Sequence, residues 1–466
     1  MVLFASTRRF AFANLRLTSV RKRHIHKVWQ YPASDDDETS NGVQYVASDN
    51  NKWDQHFVER KDTKFFTKDK ISRQVVSHFL PAQYPNGVAK GYLPFATYCF
   101  TASVAGSASM VLSTQTLLLA VGVVGSNAQT AGIMAGALNW VLKDFCGQLG
   151  GVIFASQMGK TKAFDNDPKR WRMVSAMALD GATLLEILSP LFHPSMVLPV
   201  ASIANVGKNI GFLTASASRA AIHQSLAISG NLGDVTAKAG SQSIMASLCG
   251  TTLGIGLSSL LNHDAYKFSM GFCVLAVIHQ GFNYLSLKNV PLAHFNKQRL
   301  YIVLDQYIET NLIPTPSEVA EKETFIPLFG NNKKHDQIDK WLLIGSPLAT
   351  ICPESSELES VMRINKESYL LYPAQDGKMH LTFFKNATGK DIIRGVLHAF
   401  LCQKLVLSKG VIEEAIMLND SHTQCLEILP VLFDQLDQHG WSTSTETTSI
   451  ESRNSFRLSI PNSPES

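Results

Sequence analysis

The sequence predicts a mainly α-helical protein, in which a polytopic helical membrane bundle of about six segments precedes a small α+β soluble domain. Three observations predict this fold class. Residues 91–142 contain no Asp, Glu, Lys, Arg or His, and about 20 apolar residues suffice to cross a bilayer. The chain is basic and then polar to Lys90, apolar to about Leu287, and mixed thereafter. Two strand-like runs in the mixed part, SYLLYP and MHLTFF, flank Asp376-Gly377, a strong hairpin signal.

The apolar part divides into segments that are rich in Gly, Ala and Ser. We place them at 98–125, 129–157, 174–193, 199–227, 241–262 and 267–288. Small residues let helices approach closely in lipid, where burying Leu brings no advantage. The lipid bilayer is therefore the first expected partner of residues 70–290. The alternative is a soluble helical protein whose apolar segments pack on one another.

The first thirty residues carry Arg and Lys between aromatic and aliphatic residues and contain no acid. This composition predicts an organelle-targeting presequence at 1–30, with mitochondria favoured over plastids. A basic nucleic-acid-binding arm is the alternative, although we expect no nucleic acid as a partner. Residues 31–69 are predicted to form a polar linker.

The second segment has a face of small residues. Gly132, Gly136, Gly147 and Gly150 fall with Lys143 within an arc of about 80° on a helix. These glycines are predicted to pack against another helix. Lys143 and its neighbour Asp144 are costly in hydrocarbon, so they should face protein or water.

The fourth segment carries a cationic stripe. Within an arc of roughly 100° lie Asn205, Lys208, Asn209, Arg219 and His223. With Lys143 and Asp144, these residues form the candidate ligand-binding set for a phosphate or carboxylate. The alternative is that the cations pair with Asp144, Asp180, Glu186 or Asp234 of neighbouring helices.

The connection before the third segment combines cations with an indole ring: Lys169, Arg170, Trp171 and Arg172. This combination is typical of a membrane-interface anchor, with the ring at headgroup level and the cations on phosphates. Because the connections look similarly charged, they predict no clear orientation in the membrane.

The remaining chain reads as an α+β domain at 296–441, with helices at 296–311, 389–408 and 421–440. Residues 442–466 are predicted to be a disordered tail, in which FRLSI could form an edge strand. The cysteines and histidines lack metal-ligand spacing, so we expect no metal site. No catalytic motif is present, and we expect no catalytic residues and no cofactor.

A series of strings then points to a family. In order they are FLPAQYPNGV, LNWVLKDFCGQLGGVIFA, DPKRWRM, LLEILSPLF, IANVGKNIG, SRAAIHQSLA and GDVTAKAGSQ. Together they resemble the root UV-B sensitive family over roughly residues 70–290. The resemblance implies a context of UV-B tolerance, vitamin B6 homeostasis and auxin transport, and it carries over no catalytic residues.

These features give two functional expectations. The first is an organelle-membrane protein that binds or transports a small anionic metabolite, such as a vitamin B6 vitamer, without catalysis. The second is a membrane scaffold that forms a homo-oligomer or a hetero-oligomer with another family member through its small-residue faces.

Overall fold

The computed structural model describes the chain in two units, one up to Arg73 and one from Gln74 onward. The described residues are 27–30, 43–47, 53–57, 77–120, 130–158, 163–261, 264–326, 341–351, 368–373, 378–409, 414–444, 448–450 and 455–459.

The first unit contains an antiparallel sheet of three strands, in the order β1 (Lys27–Gln30), β2 (Val43–Ala47) and β3 (Trp53–Phe57). Val, Tyr, Trp and Phe recur in these runs and favour extended backbone. The sheet therefore corrects the predicted polar linker at the second and third strands, and it begins inside the predicted presequence. The rest of 1–73 lies outside the described residues.

Six long helices form the first part of the second unit. They are α1 (Tyr92–Ala120), α2 (Thr130–Met158), α4 (Pro168–Ile187), α5 (Val197–Leu226), α6 (Leu232–Leu260) and α7 (Ala265–Lys288), with the short α3 (Ala163–Asn166) before α4. Each long helix overlaps one predicted segment. Among the described residues, only α1, α6 and α7 are long and apolar enough to cross a membrane. The helices are thus confirmed, whereas six membrane crossings are not.

Two hydrophobic clusters define the ends of the bundle. We call proximal the end where Tyr92, Met173, Leu226, Val235 and Leu287 pack together. We call distal the opposite end, where Leu112, Ile187 and Phe268 pack, with Leu257 beside them. Consecutive helices therefore alternate in direction between the two clusters. Helix α2 runs beside α5 in the same direction, because Lys143 contacts Asn205 and Gly151 contacts Asn209 one turn further on.

Glycines allow α1 and α6 to pack at close range. A Cβ added to Gly250 would meet the backbone of Val104 and lie 2.6 Å from Ser107 Cβ. One turn later, a Cβ on Gly254 would lie 2.7 Å from Val111 Cβ. Small residues at four-residue spacing thus form the contact face, as expected of closely packed apolar helices.

We expect Gly250→Leu to lower the thermal stability of the protein in detergent. Overpacking a filled contact typically costs about 1–3 kcal/mol, and here the obstacle includes backbone that cannot rotate away. Gly256→Leu is the matched control, because it lies on the same helix with nothing within 4 Å of an added Cβ. Equal melting temperatures for the two variants would contradict the described α1–α6 contact.

The C-terminal domain begins with β4 (Phe295–Asn296), α8 (Lys297–Thr310) and α9 (Pro316–Lys322). Asn296 caps α8 by accepting a hydrogen bond from the Arg299 amide, and Asn311 ends this helix in the left-handed conformation. Thr315 and Glu318 form a capping box at the start of α9. Helix α8 confirms the helix predicted at 296–311.

A three-stranded sheet and two helices complete the domain. The sheet has the order β5 (Leu342–Ile344), β7 (Met379–Phe383), β6 (Tyr369–Pro373). The hairpin of β6 and β7 confirms the prediction, whereas β5, which pairs parallel with β7, was missed. Helix α11 (Gly389–Lys409) packs on β6 and β7, α12 (Glu414–Gln438) packs on α11, and the short α10 (Leu348–Ile351) follows β5.

The end of the chain pairs with this domain, which corrects the predicted disorder of 442–466 for its described residues. The strand β8 (Thr448–Ser449) pairs parallel with β4, and Ile450 is buried in the core. Leu458 exchanges backbone hydrogen bonds with Phe383 and Lys385 at the end of the central strand β7, beyond the end of β5, and forms an isolated bridge there. Open edges leave backbone groups unpaired, and the tail satisfies them here.

Candidate functional site

A cationic cavity lies between α1, α4, α5 and α6. Its volume is about 60 Å³, and the cavity is partly open to solvent. Its lining comprises Phe95, Cys99, Phe100, Ser103, Arg172, Arg219, Ile222, His223, Ala239, Gln242 and Ser243. The lining thus contains two guanidinium groups and an imidazole, and it contains no carboxylate.

Helix geometry brings the polar groups of the cavity together. Arg219 and His223 are four residues apart on α5, so they lie on one face. Arg172 comes from the first turns of α4, and the α1 positions Phe95 and Cys99 are also one turn apart. The backbone therefore places cations of two helices against an apolar, aromatic wall from a third.

The electrostatics of the cavity favour a bound anion. Arg219 is within electrostatic range of Arg172, so the two guanidinium groups repel each other. Within the described part of the chain, neither side chain forms a salt bridge. Repulsion between like charges grows as the surroundings become less polar. An anion between the two groups would relieve this repulsion and could accept hydrogen bonds from both.

The rest of the predicted stripe serves a different purpose. Lys208 is buried in a salt bridge with Glu186, and its Nζ lies 3.3 Å from Ser113 Oγ, which donates to the same carboxylate. This corrects the assignment of Lys208 to a ligand site. It agrees instead with the alternative that buried cations pair with acids of neighbouring helices.

The remaining candidate ligands join α2 to α5. Asn205 donates to Lys143 O at 3.0 Å and to Asp144 Oδ1 at 3.2 Å, while Lys143 and Asp144 form a salt bridge of 2.9 Å. Asn209 donates to the backbone of Asn205. The polar groups of this set are thus engaged in helix contacts, outside the cavity.

The predicted packing face of α2 lies at the same contact. A Cβ on Gly147 would be 2.6 Å from Asn209 Nδ2, and one on Gly150 would be 2.6 Å from Val206 Cγ1. Both glycines therefore pack against α5 of the same chain. Gly132 and Gly136 belong to the first turns of α2, and their contacts lie outside the described residues.

The residues of the predicted membrane-interface anchor have different environments in the structure. Arg170 is exposed and Trp171 is half-buried, with its ring edge-on to Phe164 at 5.2 Å. Arg172 instead lines the cavity, a position that was not predicted because Arg172 and Arg219 are far apart in the chain. Lys169 has no exposed side-chain surface, which corrects its assignment to the membrane surface.

Lys169 belongs to a buried charge cluster that links the bundle to the C-terminal domain. Its Nζ lies 2.7 Å from Glu323 Oε2, and Arg299 Nε donates to Glu323 Oε1 at 3.0 Å. Burial alone would raise the pKa of Glu323, but the charges of Arg299 and Lys169 and their hydrogen bonds lower it to about 2. Burial in turn lowers the pKa of Lys169.

A further polar contact joins α4 to α7. His279 Nδ1 lies 2.8 Å and 2.9 Å from the two carboxylate oxygens of Asp180, and Gln280 donates to the same carboxylate at 2.5 Å. Gly106 of α1 makes room for the imidazole, since an added Cβ would be 3.3 Å from His279 Nε2. The sequence feature that could have indicated this contact is Asp180, an acid inside an apolar segment.

These features define a class of protein: a bundle of alternating apolar helices with an internal cationic cavity, joined by buried charges to an α+β domain. The chain belongs to the root UVB sensitive family. Residues 67–311 match the family model described as the vitamin B6 photo-protection and homoeostasis domain. Residues 313–451 match the root UVB sensitive protein C-terminal model, which confirms the resemblance found in the sequence.

Curated relatives support this membership. The chain is 27% identical to Protein root UVB sensitive 3 of Arabidopsis thaliana, over 83% of this chain and 86% of that protein. It is 27% identical to Protein root UVB sensitive 2, chloroplastic, of the same plant, over 80% of this chain and 83% of that protein. The chain is 28% identical to RUS family member 1 of Dictyostelium discoideum, over 53% of this chain and 47% of that protein. No solved structure matches the chain. The preference for mitochondria over plastids stays a prediction, since one relative is named chloroplastic.

Proposed function

We propose that this protein is an organelle-membrane protein that binds a small anionic metabolite, such as a phosphorylated vitamin B6 vitamer, and does no chemistry on it. The observation that carries the proposal is the cavity with Arg172 and Arg219, two guanidinium groups without an acidic partner in its lining. The family model that covers most of the bundle supports the choice of vitamer.

The chemistry of the cavity suits the anionic group and the ring of such a ligand. Arginine donates paired hydrogen bonds to phosphate or carboxylate oxygens, so Arg172 and Arg219 fit the anionic group. Phe95, Phe100 and Ile222 offer apolar surface to a flat ring.

Membrane insertion is proposed from the outer surface of the bundle. Large apolar side chains point outward on several helices; Val152 of α2, Ile244 of α6 and Val277 of α7 are 66%, 66% and 73% exposed. Soluble monomers rarely expose contiguous apolar patches of this kind. Lipid would cover these faces, and α1, α6 and α7 are long enough to cross it.

The test is ligand-dependent thermal stabilisation of the full-length protein in detergent. Pyridoxal 5′-phosphate should raise the melting temperature of the wild type, because a ligand that binds only the folded state stabilises it. Arg219→Gln and Arg172→Gln should each abolish this shift. Arg170→Gln is the matched control, because Arg170 is an exposed arginine on the same helix as Arg172.

Three outcomes would contradict the proposal. One is a wild type that pyridoxal 5′-phosphate does not stabilise. Another is an unchanged shift in Arg219→Gln and Arg172→Gln. The third is an equal shift with uncharged pyridoxine, which would show that the anionic group is not recognised.

The scaffold alternative has less support from the fold. The small residues Gly147 and Gly150, which suggested a face for oligomerisation, contact α5 of the same chain. A homo-oligomer or a complex with another family member would have to use other surfaces. Recovery of a second family member with the purified protein would favour this alternative.

A further inference from the structure

Basic residues are sorted between the two ends of the bundle. At the distal end, the stretches that join consecutive helices are 121–129, 188–196 and 261–264, and their sequences contain no Lys or Arg. In chain order, the first Lys or Arg near the distal end is Lys267, which lies within α7. Among the described residues, cations gather instead at the proximal helix ends: Lys90, Lys169, Arg170, Arg172, Lys288, Lys297 and Arg299.

This asymmetry corrects the expectation that the connections give no orientation. It becomes visible once the two hydrophobic clusters assign each helix end to one side of the bundle. Lys and Arg near the ends of membrane helices are retained on the side from which a protein is inserted, whereas Asp and Glu have little influence. The acids at the proximal end, such as Asp165 and Asp167, therefore do not cancel the bias.

The cationic cavity lies near the proximal end. Cys99 is seven residues into α1, about 10 Å along the helix axis. His223 lies in the last turn of α5, and Arg172 is the fifth residue of α4. A solute would therefore reach the two arginines by a short route from the proximal side.

We propose that the bundle is inserted with its proximal end in the electrically negative compartment, from which the cavity takes its anion. The exposed Arg170 and the half-buried Trp171 then contact anionic lipid headgroups of that leaflet. The C-terminal domain, tied to α4 through Lys169 and Glu323, lies in the same compartment. This inference rests on the proposed membrane insertion and deepens the proposed function.

The test uses cysteine labelling with a membrane-impermeant maleimide, read out site by site by mass spectrometry. Ser195→Cys and Ser229→Cys form a matched pair, because both serines are exposed, the first at the distal and the second at the proximal end. The full-length protein is expressed in a bacterial inner membrane, whose cytoplasmic side is negative. In spheroplasts S195C should be labelled and S229C protected; inverted vesicles should give the reverse.

The native Cys99 reports on the cavity in the same experiment. Its labelling should occur in inverted vesicles, and pyridoxal 5′-phosphate should slow it there and have no effect in spheroplasts. Labelling of S229C in spheroplasts with S195C protected, or mixed labelling of a carbonate-resistant protein, would overturn the orientation. Extraction of the protein by carbonate would overturn membrane insertion. Correct orientation with no protection of Cys99 would instead count against the anion site and the route proposed to it.

Discussion

Glu323→Gln is expected to lower the free energy of unfolding by about 3–5 kcal/mol, the usual cost of removing one partner from a buried ion pair. Among the described residues, Glu323 is the carboxylate that forms salt bridges with both Lys169 and Arg299. All three side chains are at most 1% exposed. The amide would leave two buried cations without the carboxylate that pairs with both, at the contact between α4 and α8, where the buried Asp167 is the other acid within electrostatic range.

Chemical denaturation of the purified protein measures this effect, and Lys169→Met is the matched control. That variant removes one cation but keeps the Arg299–Glu323 pair, so it should cost clearly less. Because the pKa of Glu323 is lowered from 4.5 to about 2, its stabilising contribution is present above pH 4.5 and is lost as the pH falls toward 2. Glu323→Gln should flatten this acid dependence. Equal stability of E323Q and the wild type would refute the role of the cluster.

Glu186→Gln is the second change for which we expect a large loss, again about 3–5 kcal/mol. It would leave Lys208 buried between α1, α4 and α5 without its carboxylate, and it would weaken the hydrogen bond from Ser113. The apolar surroundings make an unpaired ammonium group costly. Thermal unfolding in detergent would report this as a lower melting temperature.

A double variant separates the charge effect from packing. In Glu186→Leu/Lys208→Met, both charges are replaced by apolar side chains of similar length, which is often neutral for stability. We expect the double variant to be closer to the wild type than Glu186→Gln alone. If the double variant is the less stable of the two, the ion pair itself stabilises the bundle. Pyridoxal 5′-phosphate should still stabilise the double variant, because Lys208 lies outside the cavity lining.

Local sequence signals predicted the helices well. Continuous apolar runs located all six long helices, and the Asp376-Gly377 turn predicted the β6–β7 hairpin of the C-terminal domain. Each of these signals acts over a few residues, within one helix or hairpin. The strand β5 was missed because its partner β7 lies far along the chain, and parallel pairing leaves no local signature.

Only part of the candidate site could be predicted, because its residues come from helices that are far apart in the sequence. Helical periodicity placed Lys208, Arg219 and His223 on one face of α5. Periodicity within one helix cannot say which neighbour each residue meets, and here Lys208 meets an acid whereas Arg219 meets Arg172. Arg172 followed Trp171 in a basic run and was therefore interpreted as a surface anchor. Its position inside the cavity depends on how α4 packs against α5.

The physical boundary of the C-terminal domain differs from the boundary between the two family models. The first model ends at residue 311, after α8. The inner face of α8, with Leu300, Val303 and Leu304, nevertheless belongs to the hydrophobic core that it shares with the sheet. A fragment that stops at residue 311 would therefore expose the apolar face of α8. It would contain Arg299 but lack its partner Glu323. A fragment that begins at Phe295 would keep that core intact. It would, however, separate Lys169 from Glu323 and Arg299.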